Sequence, residues 1–474
     1  MLLVRFSTQY WTFMGLTLAS LFFYGSWKPI YLLLIGGSIL FNYAMGLAIK
    51  RHEHDPGRRL WLKLGVVANL SVLFVFKYLG FSVSQIYALV DWQGHIPAIE
   101  LPLAISFFTF QQIAYLIDIY KREPAQANLA EYALFVAFFP QLIAGPIVHH
   151  SEIVWQFERL KERFITLNNL TIGMTVFIIG MFKKVVLADG MASYADPIFN
   201  AADKGTMIST VDAWVGTLAY TFQIYFDFSG YSEMAIGLAW MFGIRLPNNF
   251  NSPYKATSII DFWRRWHMTL SRFLRDYLYI PLGGNRHGPL MKYRNMFLTM
   301  LLGGLWHGAG WTFVIWGALH GLYLTLNHFW QAWAPVQKSF WHNRITAQLL
   351  TFLAVIIAWV FFRATTFEGA SQIMTGMFQW QTSIQNLTDQ PLMAAVWLSL
   401  CLAIVWKLPN TIQFMSHALP ELSSSGKALV MKPVEHRFYW QQNGWFALLI
   451  GSMFAMALLK TMAKVPSAFI YFQF

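Results

Sequence analysis

Residues 296–310 read MFLTMLLGGLWHGAG, an apolar run in which one histidine, His307, has glycines on both sides. The run has the composition of a segment embedded in lipid. An ionisable side chain is costly in that environment, and by default it marks a functional site. A histidine can accept or donate a proton near neutral pH. This stretch therefore predicts a membrane-embedded fold and a site of chemistry inside it.

The composition of the whole chain supports the membrane environment. Of 474 residues, 56% are hydrophobic and 12% are charged, whereas a soluble domain carries about 25% charged residues. We predict an all-α, polytopic membrane protein with about 10–12 transmembrane helices, forming a single domain over residues 1–474. The predicted spans are 8–25, 29–49, 62–82, 101–120, 168–188, 208–227, 310–330, 345–362, 391–406 and 444–462. Three apolar segments are short or interrupted by Gly or Pro, which indicates re-entrant or broken helices: 131–148, 231–244 and 296–306.

The charged residues lie mainly in short loops between the apolar runs. The net charge of +12 therefore indicates cytoplasmic loops and not a nucleic-acid surface. By this rule, 50–63 and 255–295 face the cytoplasm, and 83–100 and 365–390 face the periplasm. One cysteine, Cys401, provides no disulfide framework and no cysteine-based zinc site, and we predict no metal site. The first span lacks a cleavage site and is expected to be retained.

The same charge rule predicts how His307 is placed. Because 255–295 and the loop with Lys338 and Arg344 are both predicted to be cytoplasmic, the intervening segment must enter the membrane and return. Its first arm, 296–306, would be about 16 Å long as a helix. This length is about half the thickness of the hydrocarbon core of a membrane, which is about 30 Å. His307 would then lie near mid-membrane on irregular backbone, where glycines leave room for a ligand. The alternative is a packing histidine wedged among glycines.

A second histidine, His267, lies in a segment that we predict to be one amphipathic helix, 257–280. Ser258 and Asp261 form a capping-box signature at its start, and Arg264 is one of the residues that give it a basic face, as in helices of the membrane interface. His267 is one turn after Trp263 and is predicted to point to the buried side. It would either face a cavity or bond to helix backbone. A third histidine, His320, is predicted to form a helix–helix hydrogen bond.

Polar residues upstream are candidates to line a path through the membrane. Asp227, close to Ser229 and Tyr231, must find a partner in its apolar context or become neutral. It could orient a histidine or line an access path, or it could form a structural hydrogen bond at a helix break. Asn248, Asn249 and Asn251 offer donors and acceptors to a polar ligand, although asparagine clusters also form turns.

Two classes of function fit these residues. One is an enzyme with a general base in a membrane tunnel, and the other is a transporter with a proton-coupled site at the midplane. The sequence has no phosphate-binding loop, nucleotide fingerprint, serine elbow or zinc motif.

Five ordered motifs resemble those of one known family. They are FDFSGYS at 226–232, NFNSPY at 249–254, FWRRWHMTLS at 262–271, DYLYIPLGG at 276–284 and GGLWHGA at 303–309. Together they are similar to the membrane-bound O-acyltransferases, and within these to the bacterial alginate O-acetyltransferase branch. The similarity runs from about residue 5 to 365, with core motifs at about 100–330 and looser helices at 345–474.

The resemblance implies a fold and an activity. It implies a bundle around a central funnel from the cytoplasm, with His307 as the catalytic histidine and His267 as the second essential one. Further residues are then candidates for donor binding or tunnel lining. They are Asp227, Ser229, Tyr231, Asn248, Asn249, Asn251, Trp263, Arg264, Trp306 and His320. The implied donor is acetyl-CoA, with no further cofactor. The acetyl group would cross the inner membrane to a periplasmic partner of the polysaccharide synthesis machinery. Modifiers of alginate, cellulose and peptidoglycan share these motifs, so the polymer stays open.

Overall fold

Lipid offers no hydrogen-bond partner to a backbone amide, so each apolar run of this chain satisfies its own backbone groups as a helix. The computed structural model describes residues 9–92, 94, 99–122, 128–143, 145–158, 166–333, 343–380, 387–388, 390–418, 421–422, 428–429, 439–463, 467 and 469–470. Some positions used in the predictions fall outside these residues: Ala144, Lys338 and parts of the predicted loops 83–100 and 365–390.

The described residues are almost entirely helical, and their only β-structure is a two-residue antiparallel ladder, β1 (Glu421–Leu422) with β2 (Ala428–Leu429). The α-helices in chain order are α1 (Gln9–Gly25), α2 (Tyr31–Arg51), α3 (Gly57–Leu73), α4 (Leu79–Leu89), α5 (Ile105–Tyr120), α6 (Leu129–Ala137), α7 (Phe139–Leu142), α8 (His150–Glu158), α9 (Leu167–Phe182), α10 (Asp189–Asp203), α11 (Thr210–Met241), α12 (Ile259–Trp263), α13 (Met268–Leu274), α14 (Gly288–His307), α15 (Trp311–Trp333), α16 (Arg344–Arg363), α17 (Phe367–Phe378), α18 (Pro391–Lys407), α19 (Thr411–Phe414) and α20 (Gly444–Ala463).

Short helical turns of other types connect some of these helices. Phe74–Tyr78, Lys183–Ala188 and Arg275–Tyr279 are π-helical, and Pro253–Lys255 is a 3₁₀ turn. π-Helical turns inside α-helices occur frequently at functional sites, since the extra residue redirects the side chains around it.

The prediction of an all-α, polytopic membrane protein is confirmed. Five described helical segments are long and apolar enough to cross a membrane: Tyr31–Arg51, Gly57–Leu89, Leu167–Asp203, Arg344–Arg363 and Gly444–Ala463. Two shorter apolar helices, Trp11–Gly25 and Pro391–Lys407, coincide with predicted spans. The orientation in the membrane and the central funnel stay predictions.

Two of the three interrupted segments differ from their prediction. The segment 231–244 is not separate, because α11 runs without a break for 32 residues from Thr210 to Met241. The segment 296–306 is part of the longer helix α14. The segment 131–148 is broken as predicted: α6 ends at Ala137, and the non-helical Phe138 leads into the short α7, which carries Pro140.

The chain forms two compact units. The first contains Met1–Phe177, Ser232–Pro247 and Pro420–Met431, and the second contains Ile178–Tyr231, Asn248–Leu419 and Lys432–Phe474. Every residue that the sequence singles out for chemistry belongs to the second unit, so the site can be described within that unit. The prediction of one domain over the whole chain stays a prediction.

Candidate active site

His307 is the last residue of α14, and aromatic rings surround it. Its ring centroid lies 4.9 Å from that of Trp306, 5.0 Å from that of Trp316 and 5.2 Å from that of Phe362, each in an edge-on arrangement. His307 is only 3% exposed. Rings on three sides shield the imidazole from water and hold it in one orientation, which favours proton transfer by a positioned base.

The helix that ends at His307 is longer than predicted. α14 has 20 residues, which corresponds to about 30 Å of helix and not to the half-membrane arm 296–306. Lys292 and Arg294, which favoured a loop, lie within its first two turns. The backbone leaves the helix only at Gly308, with φ −158° and ψ 151°. The predicted irregular backbone at His307 is therefore wrong, and its mid-membrane depth loses its basis.

The glycines near His307 serve helix packing. A Cβ atom at Gly304 would collide with the carbonyl oxygen of Phe313, and one at Gly308 would collide with the Phe313 ring. A Cβ atom at Gly317 would lie 2.5 Å from the carbonyl oxygen of Met300. α14 and α15 therefore approach each other with their backbones almost in contact. The interpretation that these glycines leave room for a ligand is wrong at Gly304 and Gly308.

His267 lies between two short helices and not inside a long one. α12 ends at Trp263 and α13 begins at Met268, while His267 has φ 42° and ψ 54°. The predicted continuous helix 257–280 is therefore wrong. Its start carries half of the predicted capping box: Ser258 Oγ accepts from the Asp261 amide at 3.0 Å, whereas Asp261 Oδ2 accepts from the Thr257 amide at 3.3 Å. Left-handed backbone at a residue other than glycine costs energy and is enriched at functional sites.

Asn249 explains why the helix breaks at His267. Its backbone oxygen accepts from the Met268 amide at 2.9 Å. Its side-chain Oδ1 accepts from the Thr269 amide at 3.3 Å and from Thr269 Oγ1 at 2.9 Å. These contacts provide partners for donors at the start of α13 and compensate for the interrupted helix.

The same asparagine sets the proton arrangement on His267. The Nδ1 atom of His267 lies 3.0 Å from Asn249 Oδ1. Because that oxygen also accepts from Thr269, it acts as an acceptor here, and Nδ1 must donate. A neutral imidazole that donates through Nδ1 carries its lone pair on Nε2. Asn249 therefore prepares Nε2 of His267 to accept a proton.

One indole contacts both histidines. The ring of Trp306 lies 6.5 Å from that of His267 and 4.9 Å from that of His307. On the other side of His267, the ring of Phe228 packs edge-on at 4.7 Å. The two histidines of the sequence motifs, which are 40 residues apart (307 − 267), therefore belong to one aromatic cluster.

His320 extends this cluster and forms the predicted hydrogen bond between helices. Trp263 Nε1 of α12 donates to His320 Nδ1 of α15 at 3.2 Å. The ring of Trp316 lies 4.8 Å from that of His320 and 5.0 Å from that of His307. His320 therefore supports the wall of the cluster behind His307.

Known proteins share this arrangement of motifs. Residues 120–368, which include all three histidines, match the sequence profile described as "MBOAT, membrane-bound O-acyltransferase family". The chain belongs to the membrane-bound O-acyltransferase family. Of the two predicted classes, enzyme and transporter, the enzyme is thus confirmed: the protein is an acyltransferase.

Similar proteins within the family carry several names. The chain is 50% identical over 391 residues to "Peptidoglycan O-acetyltransferase" of Helicobacter pylori, covering 76% of this chain and 73% of the relative. It is 41% identical to "Probable alginate O-acetylase AlgI" of Azotobacter vinelandii, covering 96% and 93%. It is 29% identical to "Teichoic acid D-alanyltransferase" of Bacillus subtilis, covering 62% and 74%. The three names describe the transfer of an acetyl or D-alanyl group and refer to peptidoglycan, alginate and teichoic acid.

Asp227 of this acyltransferase has the partner that its apolar surroundings require. Lys184 Nζ lies 2.7 Å from Asp227 Oδ1, and both side chains are almost completely buried. The other carboxylate oxygen accepts from the backbone amide of Ile470 at 3.0 Å. The predicted need for a partner is confirmed. The alternative of a structural hydrogen bond agrees with the bond from the Ile470 amide, but its predicted place at a helix break is wrong, because α11 is continuous around Asp227.

For several other candidates, the contacts that the structure describes are not with the histidines. The amide of Asn251 donates to the Arg265 carbonyl at 2.9 Å, and its side chain accepts from Asn410 at 3.0 Å. Arg264 is exposed and Asn248 is half-buried. Tyr231 packs against Phe469 at 4.4 Å between ring centroids, while Ser229 is 1% exposed. Their predicted roles in donor binding or tunnel lining stay predictions.

Residues near the carboxyl terminus contribute to this site, and the sequence did not predict this. Ser467 accepts from Lys184 Nζ at 2.8 Å and donates to Asp189 Oδ1 at 2.6 Å. Two residues later, the buried Phe469 lies 5.6 Å from Phe228, the ring that packs on His267. In a chain with 18% aromatic residues, one more phenylalanine carries no signal. Lys184 could have been noticed as a charge inside the predicted span 168–188.

Proposed function

We propose that this protein is an O-acetyltransferase that takes an acetyl group from cytoplasmic acetyl-CoA and passes it across the bacterial inner membrane. A periplasmic acetyltransferase would then transfer the group to an exopolysaccharide, alginate or a related polymer such as cellulose. The observation that carries the proposal is the single aromatic cluster that contains His307 and His267, in a chain that aligns over 96% of its length with an alginate O-acetylase.

The charge distribution supports a cytoplasmic thioester donor. Residues 255–295 carry eight Lys and Arg residues against Asp261 and Asp276. Two of these arginines are paired, Arg265 with Asp261 and Arg275 with Asp276, both at 2.7–2.8 Å. The remaining cations suit the phosphates of coenzyme A, and an excess of Lys and Arg is typical of cytoplasmic loops.

The chemistry assigned to the histidines follows from their enclosure. We assign His307 as the general base that takes the proton of the acceptor hydroxyl. The oxygen attacks the thioester carbonyl, and the C–S bond breaks as the C–O bond forms. The CoA thiolate leaves and receives the proton, so the products are an acetyl ester and free CoA. His267, oriented by Asn249, is assigned to position the thioester or to relay the proton.

The donor assignment predicts thioester consumption by the purified enzyme. With acetyl-CoA, a soluble oligosaccharide acceptor and the periplasmic acetyltransferase present, the full-length protein is expected to release free CoA, which a thiol reagent measures. A His54→Ala variant, which changes an exposed histidine, should release CoA at the wild-type rate. If acetyl-CoA is not consumed while an acetyl thioester on a carrier protein is, the assigned donor is wrong.

The polymer assignment predicts where ester-linked acetate is lost in cells. Deletion of the gene should remove most base-labile acetate from the exopolysaccharide and leave that of peptidoglycan unchanged, and the wild-type gene should restore it. Acetate released by mild alkali from each purified polymer is the measurement. Loss of acetate from peptidoglycan, with that of the exopolysaccharide unchanged, would instead identify an enzyme that acetylates peptidoglycan. The name of the Helicobacter pylori relative describes that function.

A further inference from the structure

The end of α16 forms one side of the aromatic enclosure of His307. Phe362, the last residue but one of this helix, is completely buried, and its ring centroid lies 5.2 Å from that of His307. The same ring packs edge-on against Trp316 at 5.1 Å and Trp359 at 5.3 Å. The backbone leaves the helix at Ala364, with φ −63° and ψ 132°. Because helix ends fray, the position of Phe362 depends on what holds the end of α16.

Arg363, the residue after Phe362, fastens this end to two other helices. Its Nη2 donates to Asp196 Oδ1 of α10 at 2.9 Å. The guanidinium lies over the ring of Phe199, also of α10, at 5.4 Å, and over that of Tyr220 of α11 at 5.9 Å. Aromatic faces attract a guanidinium more strongly where water is excluded, and Arg363 is only 11% exposed. Arg363 therefore links the last turn of α16 to α10 and α11.

A second aspartate of α10 holds the corner between α16 and α17. Asp203 Oδ1 accepts from the Thr365 amide, the Thr366 amide and Thr366 Oγ1, each at 3.1 Å. A Cβ atom at Gly369 would collide with the same carboxylate, so the first turn of α17 lies directly against it. Asp196 and Asp203 are seven residues apart (203 − 196), which is about two turns, and they share one face of α10. α10 thus holds the corner at two points.

These contacts bear on the chemistry because Phe362 has no means of fixing its own position. Its side chain has no hydrogen-bonding group, so its place against His307 follows from packing and from the backbone of α16. A displacement of about 1 Å caused far from the reacting atoms can lower a rate by about 10²-fold. The residues that set this backbone therefore influence the proton transfer assigned to His307.

We propose that Arg363, with Asp196 and Asp203, is a positioning group of the acyl transfer. The three residues hold Phe362 against His307 and so keep the imidazole in its productive orientation. The proposal rests on the role of His307 as the general base. Asp196 is 44% exposed, and partly exposed pairs add little to stability. Loss of the Arg363–Asp196 pair should therefore change turnover more than folding.

Steady-state release of CoA by the full-length protein, with the acceptor and the periplasmic acetyltransferase present, tests this proposal. Arg363→Gln and Asp196→Ala should each lower kcat by about tenfold, a part of the loss that a 1 Å displacement produces, and leave KM for acetyl-CoA unchanged. Asp196→Asn keeps an oxygen that accepts from Arg363, so it should retain most of the turnover. Glu368→Ala is the matched control. This exposed carboxylate lies at the same corner but accepts from Gln372 within α17, so its loss should not change kcat.

A double-variant cycle shows whether Arg363 acts through Phe362. Phe362→Leu alone should lower kcat to a similar extent. Adding Arg363→Gln should then lower it little further, because the contact that Arg363 positions is already altered. Asp196→Ala takes the place of Arg363→Gln in the cycle if the latter does not fold. Losses that multiply, or a wild-type kcat in both Arg363→Gln and Asp196→Ala, would overturn the proposal.

The outcome is separable from that of the proposed function. If wild-type protein does not consume acetyl-CoA, the donor assignment fails, and the same cycle is measured as polymer-bound acetate in cells at matched protein levels. If His307→Ala abolishes transfer while the Arg363 and Asp196 variants transfer normally, the assignment of the base stands and the positioning role alone fails.

Discussion

A His307→Ala variant is expected to lose acetyl transfer by at least about 10²–10⁴-fold, the usual contribution of a positioned general base. His307 is 3% exposed and is enclosed by Trp306, Trp316 and Phe362. The described rings offer no other titratable group to replace the missing imidazole. The measurement is polymer-bound acetate in cells at matched protein levels, together with release of CoA by the purified variant.

The other two histidines serve as graded controls for this prediction. His267→Ala should also impair transfer, because it removes the group that Asn249 orients. His320→Ala should have a smaller effect, because it removes a hydrogen bond from Trp263 and no group of the proposed reaction. Near-normal acetylation by His307→Ala would place the catalytic centre elsewhere. Equal loss of protein in all three variants would instead identify the histidines as structural.

The sequence predicted which residues meet at the site better than it predicted their backbone. His267 and His307 were selected because ionisable groups in apolar segments are costly, and that physical reason does not depend on the details of the fold. The helix 257–280 was predicted from periodic apolar residues. The periodicity could not reveal that Asn249, outside the segment, takes up donors at the start of α13. Tertiary contacts of this kind override local propensity.

The placement of His307 shows a second limit of the sequence. Lys292 and Arg294 suggested a loop, yet they lie in the first turns of α14. The glycines of the Trp-His-Gly motif suggested an open turn, yet they allow α14 and α15 to pack closely. Glycine permits both a turn and a close helix contact, so its presence alone could not distinguish them. The aromatic cluster was equally hidden, because phenylalanine and tryptophan occur throughout the chain.

Removal of one partner from the Lys184–Asp227 pair is expected to produce the largest loss of stability. The two side chains are 3% and 1% exposed and lie 2.7 Å apart. Lys184→Met leaves the Asp227 carboxylate buried without its cation, which typically costs about 3–5 kcal/mol of the free energy of unfolding. Unfolding of the purified protein in SDS, followed by tryptophan fluorescence, measures this loss.

A double variant separates the charge pair from the packing around it. Lys184→Met with Asp227→Asn removes both charges and keeps an oxygen that can accept from the Ile470 amide, so it should recover much of the stability lost by Lys184→Met. Asp276→Asn is the matched control, because its partner Arg275 is 61% exposed and such pairs contribute less than about 1 kcal/mol. If Lys184→Met is as stable as the wild type, the pair does not anchor Ser467 and Ile470. Asp227 would then be available to line an access path, the role that the sequence left open for it.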